Sequence, residues 1–292
     1  MKSSFENVIT ALITPFWNGE IDETSFKKLL RQQLDNGVNG FVVGGTTGES
    51  PTITEAELKR LFDIAKAEVA GAVPVILGTG TNSTATTIAK TKKAKEWGAD
   101  AALIVVPYYN RPPQRGLFAH FAAVSEAVDI PQLLYNVPSR TACALDNATV
   151  VQLGECKNIC GVKDATGAIE NLSAFKSIKK KFWNLSGDDA SCMKFCFQGG
   201  DGVISVASHV IPKEMDECIR AARRGNQAEA NRYEKFNKLL HWLYVEANPI
   251  PVKWALEKMG IIRSSEMRLP LVKMDGAYAQ EFSECLKALG KI

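Results

Sequence analysis

The chain has few histidines, no paired-cysteine motif and no long apolar run, and each shortage removes a class of function. Only His120, His209 and His241 occur, none of them spaced as ligands, so no metal is expected. The seven cysteines are scattered, with Cys156/Cys160 and Cys192/Cys196 four apart and no CxxC, which predicts free, mostly buried thiols in place of disulfides. No segment reaches the roughly 18 apolar residues of a membrane span, and MKSSFENVITALITPF lacks a basic stretch leading into an uninterrupted apolar one. The expectation is a cytoplasmic protein with no membrane partner. A net charge of +3, with Lys and Arg dispersed, gives no nucleic-acid face; the densest run, Lys176 to Lys181, reads as the solvated end of a helix. A full dinucleotide fingerprint is missing too, because GTGTNST from Gly78 to Thr84 lacks the third glycine of GxGxxG.

What the chain does have is a repeated unit. Short apolar runs bounded by Gly, Pro or Asn begin near Val8, Gly40, Pro74, Ala101, Pro131, Ile159, Phe182 and Gly202. Between them lie amphipathic stretches. In DETSFKKLLRQQLDNG, Phe26, Leu29, Leu30 and Leu34 form one stripe and Asn36-Gly37 a stop. In the next, Thr54 and Glu57 have capping-box spacing, Leu58, Leu61, Phe62, Ala65 and Val69 line a face, and Gly71 ends it. Eight near-continuous apolar strands alternating with helices predict a (β/α)8 barrel over residues 1–225, in preference to an open doubly wound sheet. Residues 226–292 lose the strand signal and read as a C-terminal domain of about three helices.

A barrel of this kind works at the C-terminal ends of its strands. There the sequence places Thr46-Thr47-Gly48-Glu49, then Thr79 with Asn82, Tyr108-Tyr109-Asn110, Tyr135-Asn136 followed by Arg140, Lys163, Gly187-Asp188-Asp189, and Ser205. Hydroxyls, one lysine and one arginine converge without a metal set. Lys163 lies inside an otherwise apolar strand, ICGVKD. Burial favours the neutral form of an amine, and a neutral amine attacks ketones to give an imine that acidifies the neighbouring carbon. Left open are a lysine that snorkels to the rim or pairs with Asp164. Tyr135 is the candidate proton carrier, against a core tyrosine with a satisfied hydroxyl. GGTTGES offers hydroxyls and backbone N–H groups as a carboxylate cradle, and Arg140 is a bidentate carboxylate clamp or a surface loop residue.

Together GGTTGES, VVPYYNRP, LLYNVPSRT, GVKDATG, LSGDD, GVISV and NPIPVKWAL resemble the dihydrodipicolinate synthases of the pyruvate-dependent class I aldolase superfamily, over nearly the whole chain. The resemblance implies condensation of pyruvate with L-aspartate 4-semialdehyde, through a covalent imine and with no separate cofactor. It makes Lys163 the imine-forming residue and Tyr135 the proton donor and acceptor, with Thr46 and a neighbouring subunit's copy of Tyr109 completing the relay. Thr47, Gly187 and the backbone at Ile204 would hold pyruvate, and Arg140 the second substrate's carboxylate. It further implies a homotetramer built from two tight dimers. In feedback-sensitive members the lysine pocket lies at the tight interface. Its positions fall here on Ser50, Pro51, Glu55, Leu58, Asn82, Thr86 and Tyr108, of which Glu55, Leu58 and Thr86 depart from the sensitive pattern. The alternatives are a sister aldolase, acting on N-acetylneuraminate or a 2-keto-3-deoxy sugar acid, which would not need Arg140, and a non-catalytic keto-acid-binding barrel.

Overall fold

The computed structural model describes residues 4–292. Eight parallel strands, Asn7–Ala11, Gly40–Val43, Val75–Gly78, Ala101–Val105, Gln132–Asn136, Ile159–Asp164, Trp183–Ser186 and Gly202–Ser205, pair in chain order and close first against last. Helices cover the outside, so each strand is buried on both faces and reads as a continuous apolar run.

Side chains still alternate between lumen and outer shell. Ile9, Val42, Ile76, Leu103, Leu133, Tyr135, Leu185 and Ile204 fill the lumen. Their outward neighbours, such as Val8, Phe41 and Leu77, pack under the helices. The sixth strand breaks the alternation. Gln132 faces Ile159 but Leu133 faces Gly161, so the partner strand carries one extra residue at this point. Ile159 and Val162 both pack into the outer cluster, whereas Cys160 packs towards the lumen and a Cβ on Gly161 would meet lumen-facing Leu133 at 2.8 Å. An unbroken alternation from Ile159 would point residue 163 outward. The bulge reverses the phase and points it into the lumen.

The helix Glu23–Asp35 buries Phe26, Leu29 and Leu30 as its pattern predicts, but Gln33 is buried in place of Leu34, which is half-buried. Gln33 is accommodated because Thr10 Oγ1 donates to its oxygen at 2.7 Å and its amide donates to the Ser208 carbonyl at 3.0 Å. The helix Glu55–Val69 has the expected capping box, and ends with Ala70 and Gly71 both left-handed. A small hairpin, Phe16–Trp17 with Glu20–Ile21, was not expected from the apolar pattern. Its signal is Asn18-Gly19, both at positive φ. The basic run near Lys176 lies beyond the helix Asn171–Phe175, in the turns that follow it, and not on the helix itself.

After residue 225 the main helices are Asn237–Leu243, Ile250–Lys258 and Ala279–Ala288. Phe236, Leu239, Trp254 and Phe282 bury in the same apolar cluster as Phe26 and Met215 of the barrel's helices. Trp254 stacks on Phe282 with ring centroids 5.0 Å apart. Burying side chains of this size contributes roughly 1.5–3 kcal/mol each, which fastens the C-terminal region to the barrel wall. The seven cysteines are free. Among the described residues no helix is long and apolar enough to cross a membrane.

Candidate active site

Lys163 enters the lumen near the C-terminal mouth, 7% exposed. Its strand partner across the ladder is Tyr135, and the lysine Nζ lies over the tyrosine ring, 4.2 Å from the centroid. Neither alternative left open for the lysine holds. It is largely buried in place of extending over the rim, and Asp164 is engaged elsewhere, its oxygens taken by the Thr166 N–H at 3.0 Å and the Asn171 amide at 2.9 Å. Among the described residues no carboxylate is ion-paired with the Lys163 ammonium nitrogen, which leaves Nζ facing the Tyr135 ring.

The space around it is guarded by Gly187. A Cβ there would stand 3.0 Å from Lys163 Cε and 2.7 Å from Ala165 Cβ, so only glycine leaves the lysine chain free. The two aspartates that follow serve local structure. Asp188 accepts from the Ser191 N–H at 2.8 Å, and Asp189 accepts from the N–H groups of Val206 and Ala207 and from the Tyr244 hydroxyl. Burial pushes the Asp189 carboxyl above its ordinary pKa. Asp189 thereby fixes the loop after Ile204 and Ser205.

Beside Tyr135 opens a cavity of about 290 Å³, lined among others by Thr46, Ser50, Pro51, Tyr108, Tyr135 and Arg140. Arg140 sits in the one-turn helix Pro138–Thr141 that follows the fifth strand, not on a loop, and its guanidinium donates to the Asn248 carbonyl at 3.4 Å. Thr47 is buried beside this cavity and accepts a hydrogen bond from the Asn248 amide at 2.9 Å. Ile204 is in the eighth strand, facing the lumen. Among the described residues, no hydrogen bond joins the hydroxyls of Thr46, Tyr135 and Tyr109 to one another. Tyr109 is 88% exposed and left-handed at φ +72°.

The residues expected to correspond to a regulatory pocket divide between two spaces. Ser50, Pro51 and Tyr108 line the larger cavity, while Ser50, Glu55 and Leu58 line a second of about 70 Å³ together with Lys90 and Lys93. Glu55 is ion-paired with Lys93. The Thr86 hydroxyl donates to Ser83 Oγ at 3.1 Å, at the start of the helix Thr84–Glu96, and the Asn82 carbonyl accepts from the Asn110 amide at 2.8 Å.

Asn248, Lys253 and the partner role of Glu49 were missed by sequence reasoning. Each lies in a motif that stood out, GGTTGES or NPIPVKWAL, but their contact joins segments 204 residues apart. No local pattern reports such a contact.

Comparison with known proteins adds independent support. The model of the Dihydrodipicolinate synthetase family matches residues 4–289. The chain is 49% identical over 290 residues to a 4-hydroxy-tetrahydrodipicolinate synthase of Bdellovibrio bacteriovorus, covering 98% of this chain and 99% of that protein. Its fold superimposes, with a TM-score of 0.96 and 40% identity, on a chloride-inhibited dihydrodipicolinate synthase of Acinetobacter baumannii complexed with pyruvate, over 99% of this chain and 100% of that one. A similar match, TM-score 0.94 at 40% identity over 99% of both chains, is to the Cyanidioschyzon merolae enzyme with lysine bound.

Proposed function

The chain belongs to the dihydrodipicolinate synthetase family, and from that premise we propose that it condenses pyruvate with L-aspartate 4-semialdehyde to give 4-hydroxy-tetrahydrodipicolinate, through an imine on Lys163. The observation that carries the reading is the buried Lys163 amine, free of any carboxylate and stacked on Tyr135 at the mouth of the barrel.

The Lys163 nitrogen adds to the ketone carbon of pyruvate, and the ketone oxygen takes a proton and leaves as water. Tyr135, on the neighbouring strand, is placed to pass protons to and from that oxygen. The resulting imine draws electrons from the methyl carbon, which loses a proton and becomes a carbon nucleophile. That carbon bonds to the aldehyde carbon of the semialdehyde, whose oxygen is protonated to a hydroxyl. The semialdehyde's own amine then adds at the imine carbon and displaces Lys163, closing the ring and restoring the free lysine. One water is released over the cycle. No step calls for a separate cofactor.

In this reading Thr47, Gly187 and the Ile204 backbone border the pyruvate site, and Arg140, beside the cavity, receives the semialdehyde carboxylate bidentately. Thr46 and Tyr109 complete the proton relay. Because Tyr109 is exposed in its own chain, it serves a second copy, in a homotetramer of two tight dimers working in the cytoplasm. An active monomer by light scattering would contradict the shared site.

The deciding assay compares purified protein with pyruvate plus aspartate semialdehyde against pyruvate plus N-acetylmannosamine. Turnover of the first pair is expected. Turnover of the second alone would reassign the chain to the sister aldolases.

A further inference from the structure

Glu49 and Lys253 form a buried ion pair whose halves come from the turn after the second strand and from the helix Ile250–Lys258. Lys253 is 0% exposed, and its ammonium donates to Glu49 Oε1 at 2.7 Å, to the Thr14 carbonyl at 2.9 Å and to the Glu266 carbonyl. All its protons are thereby used. The second Glu49 oxygen accepts from the Arg268 N–H at 3.2 Å. Burial pushes the Lys253 pKa down, with Glu49 pulling against it. Removing two charges from water offsets much of their attraction, so such a pair is a poor device for stability alone. Its geometry is more informative.

The pair anchors one end of the hydroxyl-bearing turn. Glu49 donates its own N–H to the Thr46 carbonyl at 3.1 Å, and the Thr14 hydroxyl donates to the Gly48 carbonyl at 2.8 Å. Glu49 itself sits at φ +55°, a conformation that a side-chain-bearing residue holds only where its surroundings fix it. From the same C-terminal segment Asn248 binds the Thr47 hydroxyl. The turn is held from two sides by residues outside the barrel.

We infer that Lys253, through its ion pair with Glu49, is a positioning residue for the Thr46–Thr47 turn, which makes the helix Ile250–Lys258 a working part of the active site. The inference rests on the roles proposed above for those two threonines. It goes beyond them by assigning the turn's geometry to a charge pair that touches no substrate.

Three variants test it. Lys253→Met leaves the Glu49 carboxylate buried without its partner and should lower Tm sharply. The double variant Glu49→Gln with Lys253→Met removes both charges and should recover most of that loss. Assayed well below its Tm, the double variant should show kcat/KM for pyruvate reduced by about 10²-fold, the usual consequence of an ångström-scale misplacement of a binding group. Lys163 should still be labelled by pyruvate and borohydride at saturating pyruvate, because the amine is untouched. Asn248→Ala, which deletes only the hydrogen bond to Thr47, should raise pyruvate KM more than it lowers kcat, with little change in Tm. Wild-type kcat and KM in the double variant would overturn the inference and leave the pair a strut. If the double variant does not fold, wild-type kcat and pyruvate KM in Lys253→Met, assayed below its own Tm, overturn the inference equally. Failure of the wild-type protein to be labelled at Lys163 would instead remove the proposed function itself.

Discussion

Lys163 and Tyr135 occupy paired positions on adjacent strands, both directed into the lumen, with the amine 4.2 Å from the centre of the phenol ring. The pairing brings the proposed nucleophile and the proposed proton carrier together on rigid strands, not on loops, so their relation depends on strand register alone. Pyruvate followed by borohydride should add a reduced pyruvyl group to Lys163, read by mass spectrometry of the digested protein. A label on another lysine, or none, sinks the mechanism. Lys163→Ala should abolish most turnover. Tyr135→Phe should keep the label and lose turnover by roughly 10²–10⁴-fold, the usual worth of a positioned acid or base.

Gly187→Ala tests how tightly that geometry is set. The added methyl would approach Lys163 Cε at 3.0 Å and Ala165 Cβ at 2.7 Å, so something must shift to admit it. Overpacking of this kind costs about 1–3 kcal/mol of stability. The more telling expectation is a slower rate of pyruvate-dependent labelling at temperatures where the variant is folded. Wild-type labelling kinetics would show that the lysine has room the structure does not suggest.

Much of this was legible in the sequence because buried parallel strands leave continuous apolar runs, and eight such runs alternating with helical stripes have few architectures open to them. The residues at the strand ends followed from the same count. The direction of Lys163 was not legible. Alternation from Ile159 points it outward, and only the extra residue at Cys160–Gly161 turns it in. The hairpin at Asn18-Gly19 has a local turn signal, but its strands of two residues leave no apolar run to mark them. Gln33 escaped because its burial depends on Thr10 and Ser208, one on the first strand and the other after the eighth. The Glu49–Lys253 pair escaped for the same reason, since charge in a sequence ordinarily means surface.

Arg140→Ala should separate the two half-reactions. Arg140 lines the cavity beside Tyr135 but has no bond to Lys163, so labelling by pyruvate should proceed nearly as in the wild type. Loss of a charge-assisted bidentate contact should cost the semialdehyde about 2–4 kcal/mol in kcat/KM. Equal damage to both measurements would assign Arg140 to structure through its contact with the Asn248 carbonyl.

Acid should destabilise the fold through two histidines before most carboxylates titrate. Burial lowers the pKa of both His209 and His120 from 6.5 to about 4. His209 is fully buried, accepting the Ile13 N–H at 3.2 Å and bonding the Val206 carbonyl at 2.8 Å. Its folded pKa lies below its unfolded one, so its contribution is complete above pH 6.5 and is lost as pH falls towards 4. The limit is about 3 kcal/mol for each histidine. Asp189, raised by burial, works in the opposite direction, and Glu57, lowered from 4.5 to about 2 chiefly by the Arg268 hydrogen bond, starts to lose its contribution only at the bottom of the histidine window. Denaturant unfolding at pH 7.5, 5.5 and 4.5 should show a fall between the first two that is smaller in His209→Gln. Equal slopes would discount the histidine.

L-Lysine should inhibit this protein weakly or not at all. A lysine ligand brings two ammonium groups and a carboxylate, and a pocket that takes them from water must return charge or hydrogen bonds. Thr86 offers no charge, and its hydroxyl is engaged with Ser83; Leu58 has no polar side-chain atom. Glu55 could have supplied the missing anion, but the Lys93 ammonium already occupies it, so a ligand must displace one cation to seat another. That pair is solvent-exposed and weak by itself, yet Lys90 and Lys93 both line the small cavity and repel an incoming ammonium. Loss of one charged partner alone costs about 2–5 kcal/mol, enough to move binding out of the useful range. An inhibition curve at fixed substrates should therefore stay flat to concentrations well above 1 mM, which corresponds to roughly 4 kcal/mol of binding. Lys93→Ala, by freeing Glu55, should make the curve steeper than wild type. Half-inhibition of the wild type below about 1 mM would show that the cavity assembles a different set of ligands for lysine.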